Sequence, residues 1–113
     1  NHQIEYSTFS YNRSDFGGGY FNQTGPISIV NSTFFGNIAN KQGGAITAIG
    51  NTTLQNVTIT NNISGDFRGA GILIEGGRVV IGNTIISKNS GAEITFAFGE
   101  FLSNGYNLIG DSP

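Results

Sequence analysis

The chain has no cysteine and a single histidine among its 113 residues. Disulfides, thiolate metal sites and cysteine nucleophiles are therefore excluded. Charge is scarce as well, at 11% of residues, against roughly 25% in ordinary soluble domains. Five Lys and Arg, in a chain of formal net charge −2, cannot neutralise a useful run of phosphates, so nucleic acid is not an expected partner. No stretch approaches the ~20 consecutive apolar residues of a membrane helix, so this segment is not expected to insert into a membrane. There is no signal-peptide pattern. The chain begins at Asn1 and stops at Asp111-Ser112-Pro113, which reads as a processed product or a piece of a longer chain. Its length suits one domain, 1–113.

Eighteen glycines accompany abundant Asn, Ser and Thr. That mixture alone suits disorder, but Ile, Val, Leu and Phe return at regular intervals, which disordered chains lack. Tyr6-Ser7-Thr8-Phe9-Ser10-Tyr11-Asn12 matches Asn31-Ser32-Thr33-Phe34-Phe35-Gly36-Asn37, then Asn56-Val57-Thr58-Ile59-Thr60-Asn61-Asn62, then Asn83-Thr84-Ile85-Ile86-Ser87-Lys88-Asn89. The steps are 25, 25 and 27 residues. A second motif, Gly17-Gly18-Gly19-Tyr20, Gly43-Gly44-Ala45-Ile46 and Gly69-Ala70-Gly71-Ile72, steps by 26, and Gly91-Ala92-Glu93-Ile94 follows after a shorter interval. The length variation is confined to the interval between the closing Asn and the Gly motif, as in a solenoid with one elastic loop per coil.

Apolar residues align across the repeats. Ile4, Ile29, Leu54 and Ile81 make one ladder, Phe9, Phe34, Ile59 and Ile86 a second, and Tyr20, Ile46, Ile72 and Ile94 a third. Around them the pattern alternates, as in Thr53-Leu54-Gln55 and Thr58-Ile59-Thr60, the period of strands with one face inward. A single coil cannot bury its apolar edge, whereas stacked coils merge the ladders into one core. The expected fold is all-β: a right-handed parallel β-helix of about four coils of 25–27 residues, with three short strands per coil and a height of about 20 Å. The hand follows from the general preference for right-handed crossovers. Two Asn ranks close the first and second strands: Asn31, Asn56 and Asn83, with Tyr6 in the same rank, and Asn12, Asn37, Asn62 and Asn89. Both suit left-handed turns and stacked amide ladders.

Gly43-Gly44-Ala45-Ile46 and Phe34-Phe35-Gly36-Asn37 resemble the GGAI and FxxN motifs of chlamydial polymorphic outer membrane proteins. The unit Ile27-Ser28-Ile29-Val30-Asn31-Ser32-Thr33-Phe34-Phe35-Gly36-Asn37 looks closer to bacterial right-handed β-helix repeats of the choice-of-anchor Q type. The tail Ser103-Asn104-Gly105-Tyr106-Asn107-Leu108-Ile109-Gly110-Asp111 is similar to the segment after the last regular repeat in that group. The resemblance covers nearly all of the chain. It implies a right-handed β-helix in a secreted or cell-surface bacterial protein, often adhesive, whose repeats sit within a longer chain.

Parallel β-helices also carry polysaccharide lyases and hydrolases, which need clustered carboxylates, often with calcium, or an acid pair beside a basic residue. The acids here are Glu5, Asp15, Asp66, Glu75, Glu93, Glu100 and Asp111, and no two share a ladder position on adjacent coils. The lone His2 stands at a chain end. No catalytic residue, metal site or cofactor is expected, and a carbohydrate-active fragment is the remote alternative.

Charge does gather between the closing Asn and the Gly motif, where Arg13, Asp15, Lys41, Asp66, Arg68 and Lys88 make up half of the charged residues. Phe16 and Phe67 each follow an Asp there. A plain solvated loop edge with local ion pairs accounts for this pattern. A contact edge for a protein or glycan surface, anchored by the two Phe, is the functional alternative. Thr8, Thr33 and Thr58 form a hydroxyl rank suited to ice, but Phe35 and Ile85 interrupt the flat face that ice requires. Among several Asn-x-Ser/Thr sequons, Asn22 and Asn51 are expected in exposed loops and are the best glycan acceptors.

Two functions compete. One is a non-catalytic structural or adhesive module of an extracellular or cell-surface protein. The other is a fibre subunit, stacked head to tail through coil ends that carry unpaired backbone groups.

Overall fold

A computed structural model describes residues 2–66 and 68–110. The chain is all-β and winds through four coils and the start of a fifth. The first coil contains β1 (His2–Glu5), β2 (Thr8–Ser10), β3 (Arg13–Phe16) and β4 (Tyr20–Asn22). The second contains β5 (Ile27–Val30), β6 (Thr33–Phe35), β7 (Ile38–Gln42) and β8 (Ile46–Ala48). The third contains β9 (Thr52–Gln55), β10 (Thr58–Thr60), β11 (Ile63–Ser64) and β12 (Ile72–Ile74). β13 (Arg78–Gly82), β14 (Ile85–Ser87) and β15 (Ile94–Phe96) form the fourth, and β16 (Glu100–Ser103) and β17 (Leu108–Ile109) open the fifth.

Each strand pairs in parallel with its counterpart one coil away. The first sheet runs β1-β5-β9-β13-β16, the second β2-β6-β10-β14-β17, the third β3-β7-β11 and the fourth β4-β8-β12-β15. Ile4, Ile29, Leu54 and Ile81 are register partners, as are Phe9, Phe34, Ile59 and Ile86 and Tyr20, Ile46, Ile72 and Ile94. The ladders meet inside as one core. Stacked rings of Phe9 and Phe34, 4.6 Å apart and 3° from parallel, follow the inter-strand spacing of ~4.8 Å.

The sequence pattern accounts for three strands per coil, and the structure adds a fourth. The third sheet lies in the segment read as an elastic loop. Its inward side is lined by small residues, the buried Ala39 and Ser64, so no large apolar ladder announced it. A register shift between Ser14 and Phe16 absorbs part of the length variation as a bulge. In the fourth coil this sheet shrinks to a bridge between Ile63 and Ser90.

The two Asn ranks do different work. Tyr6, Asn31, Asn56 and Asn83 have left-handed backbones, with φ of 51, 52, 58 and 47°. At the next corner the left-handed residue is the one before the Asn: Tyr11, Gly36, Asn61 and Lys88, with φ of 57, 69, 59 and 58°. The second Asn rank is thereby turned inward. The Gly motif has its own cause. Gly43 has a φ of +73°, and a Cβ there would stand 2.0 Å from Thr47 Oγ1 and 3.0 Å from Ile46 O. The chain reverses onto the strand that follows, and only Gly leaves room.

Candidate functional site

The interior holds a filled polar ladder. Backbone N and side-chain Nδ2 of Asn12 both donate to Asn37 Oδ1, each at 3.1 Å. Asn37 donates the same pair to Asn62 Oδ1 at 2.8 and 3.0 Å, and Asn62 to Asn89 Oδ1 at 2.8 and 2.9 Å. Each Nδ2 also reaches back to a strand carbonyl of the preceding coil: Asn37 to Phe9, Asn62 to Phe34 and Asn89 to Ile59. Asn37 and Asn62 are wholly buried. The amide dipoles point the same way along the stack, and the donor end at Asn89 meets the Glu93 carboxylate at 2.6 Å. From Asn37 to Asn89 each side-chain amide has two or more acceptors, a satisfied network with no spare donors for a ligand.

A weaker companion rank lies at the first corner. Ser7 N donates to Ser32 Oγ at 3.1 Å and Thr84 N to Asn107 Oδ1 at 2.8 Å. Tyr106, with φ of 58°, and Asn107 thus repeat the Asn83-Thr84 corner. The tail continues the solenoid.

The expected contact edge is the outward side of the third sheet and the turns beside it. Arg13, Asp15, Lys41, Asp66 and Arg68 are exposed there, with Phe16 half-buried. The Lys41 ammonium stands 5.9 Å from the centroid of the Phe16 ring, the outer reach of a cation–π contact. Carboxylates on this edge bond amides: Asn40 Nδ2 donates to Asp15 Oδ1 at 3.1 Å and Gln42 Nε2 to Asp66 Oδ2 at 2.6 Å. Asp66 Oδ1 also accepts from Arg68 N at 3.2 Å, a local turn clasp. Lys88 sits apart at the corner before this face, in the rank of Tyr11, Gly36 and Asn61. Phe67 lies outside the described residues. An ion pair occurs elsewhere, on the first sheet, between Arg78 and Glu100 at 3.0 Å.

The expectation for Asn22 is corrected. Asn22 is not in an exposed loop but ends β4, only 3% exposed, and its Nδ2 reaches Gly50 O, Asn51 O and Thr52 Oγ1. It is inaccessible to glycan transfer in the folded chain. A signal for this was present: Asn22 lies two residues after the inward Tyr20 and pairs with Ala48, so strand alternation points it inward. Asn51 is exposed, with its Oδ1 accepting from Arg78 N at 2.9 Å.

His2 lines a shallow depression of about 380 Å³ on the first sheet together with Gln3, Pro26, Ile27, Ser28 and Thr53. No group of three or more His, Cys, Asp or Glu capable of holding a metal occurs among the described residues. The tyrosines were missed as a set. Tyr6, Tyr11 and Tyr106 all have left-handed backbones and are 78, 76 and 92% exposed. Tyr6 could have been noticed from its place in an Asn rank.

No protein-family model, no curated protein and no solved structure matches the chain.

Proposed function

We propose that this chain is a non-catalytic structural and adhesive β-solenoid module of a secreted or cell-surface protein. The observation that carries the reading is the division between inside and outside. The interior polar groups of the Asn ladder are consumed by the frame itself, while large aromatic side chains stand exposed on it. A rigid frame that presents exposed aromatics loses little conformational entropy when they are covered, which favours contact with a protein or glycan surface. The resemblance of the repeats to bacterial surface β-helices supports the same setting.

The test is binding of the labelled chain to a panel of bacterial and host cells and to matrix proteins. Saturable binding to any of them supports the module. Absence of saturable binding across the panel contradicts it. Within that assay, Phe16→Ala and Lys41→Ala measure the part played by the charged edge.

End-to-end association of copies is the second reading. It is favoured by the exposure of Phe96 and Ile109, whose register partners Ile74 and Ile86 on the preceding coil are buried. Light scattering and electron microscopy that show only monodisperse monomers would rule this out.

A further inference from the structure

We infer that the outward face of the second sheet is a binding platform for a neutral polysaccharide, centred on Tyr11 and Phe35. This deepens the adhesive reading above and rests on it. The Tyr11 ring stands against Phe35 edge to face, with centroids 5.6 Å apart and planes at 83°. Its Cε1 and Cδ1 lie 2.8 and 3.0 Å from where a Cβ on Gly36 would stand. The missing side chain of Gly36 is therefore the seat of the ring. Tyr11 is 76% exposed even so. It also holds a left-handed backbone at a rank that carries Gly36 and Asn61 on the next two coils, residues that adopt it more readily. Tyr6, Lys88 and Tyr106 hold similar backbones, so what sets Tyr11 apart is a ring seated at Gly36 and against Phe35 that is still open to solvent.

The chemistry around the ring selects the ligand. β2, β6, β10, β14 and β17 contain no charged residue. Thr8, Thr33 and Thr58 stand in one register rank, and Ser10, Phe35, Thr60 and Ser87 in the other. Hydroxyls recur along the stack at ~4.8 Å beside an aromatic pair. Sugar rings offer apolar C–H faces for stacking and hydroxyls that pair with Thr and Ser. Around Tyr11 and Phe35, three and two coils from Lys88 in the Tyr11 corner rank, the strands supply no cation to pair with a polyanion. Phe35 and Ile85 break the flat hydroxyl lattice that ice would need, so the same features favour a flexible glycan chain over ice.

Affinity gel electrophoresis of the full chain tests this, with hydroxyethylcellulose, galactomannan, dextran or amylopectin in the gel and alginate as the anionic control. Retardation by at least one neutral polysaccharide is expected. Tyr11→Asn and Phe35→Thr place at each position the residue found one or two coils along, Asn61 and Thr60, so both keep the fold. Each should weaken the retarding interaction about tenfold, the scale of one aromatic stacking contact, while Glu75→Gln, at the exposed corner between β12 and β13, leaves it unchanged. A purely structural Tyr11 predicts the opposite pattern: unaltered retardation with lowered stability. No retardation by any neutral polysaccharide, or retardation by alginate alone, overturns the glycan platform without touching the cell-binding test of the module. Equal retardation of the parent chain and both variants overturns the site but leaves an adhesive module. Ice shaping by the parent chain, lost in Thr33→Ala with no polysaccharide binding, overturns it in favour of ice.

Discussion

Asn62 hands both its backbone N–H and its side-chain amide to the single oxygen Oδ1 of Asn89, at 2.8 and 2.9 Å. One acceptor thus ties the backbone and a side chain of one coil to the coil after it. The same link joins Asn37 to Asn62. Because this happens in the interior, the ladder fixes register as well as satisfying polar groups: a slip by one residue would leave donors and acceptors buried and unpaired.

Asn62→Leu keeps the branching and heavy-atom count of the side chain but removes the middle rung. The backbone N–H and the side-chain amide of Asn37 then lose their shared acceptor inside the core. Phe34 O loses its amide donor, while Asn89 Oδ1 keeps only the backbone N–H of residue 62. The expected loss is about 3 kcal/mol or more in urea unfolding. Asn56→Ala, on the exposed rank, should cost only about 1 kcal/mol through its left-handed backbone. Equal losses would show that the inner rank has no special role.

Two glycines with similar φ should respond differently. Gly43→Ala meets Thr47 Oγ1 at 2.0 Å and Ile46 O at 3.0 Å, at a reversal where Thr47 is fully buried. Gly36→Ala meets only the Tyr11 ring, which can swing into solvent. Thermal unfolding should place the first at ~3 kcal/mol or more of destabilisation and the second near ~1 kcal/mol.

Ser64 is 1% exposed, and its hydroxyl has no hydrogen-bond partner. Its register partner on the previous coil is Ala39, so the space already suits a methyl group. Ser64→Ala should be neutral or stabilising by about 0.5–1 kcal/mol, read from the urea midpoint at constant slope. A clear loss would mean that the hydroxyl is paired.

Burial pushes the Tyr20 phenol above its ordinary value. The folded chain then holds this proton to higher pH than the unfolded chain. The associated stability is complete below the unfolded value of about 10 and is lost as pH rises through the raised value. Tyr20→Phe should flatten that alkaline loss between urea curves at pH 9 and at pH 11, with little change at pH 7.

The frame was legible because large apolar residues mark it. Ile59 between Phe34 and Ile86 declares its rank through size and alternation. The third sheet was illegible for the converse reason: Ala39 and Ser64 fill its inner side, and small residues leave no ladder to see. The two Asn ranks look alike in sequence, yet Asn56 is exposed and Asn62 buried. What separates them is which residue carries the left-handed turn, Asn56 itself or Asn61 before Asn62. Arg13, Asp15, Lys41, Asp66 and Arg68 stand exposed on the third sheet and its turns, but Asp15 and Asp66 bond amides of Asn40 and Gln42, a pairing that depends on coil register. The seat of Tyr11 on Gly36 is likewise a relation between coils 25 residues apart.

Hydrogen exchange of the side-chain carboxamides, followed by NMR, tests the stacked frame most directly. The Nδ2 protons of Asn37 and Asn62 should exchange orders of magnitude more slowly than those of Asn51 and Asn83, approaching the rate of global unfolding. Exchange of Asn37 and Asn62 as fast as that of the exposed Asn51 and Asn83 would contradict an inner ladder, and with it the rigid frame on which the surface function rests.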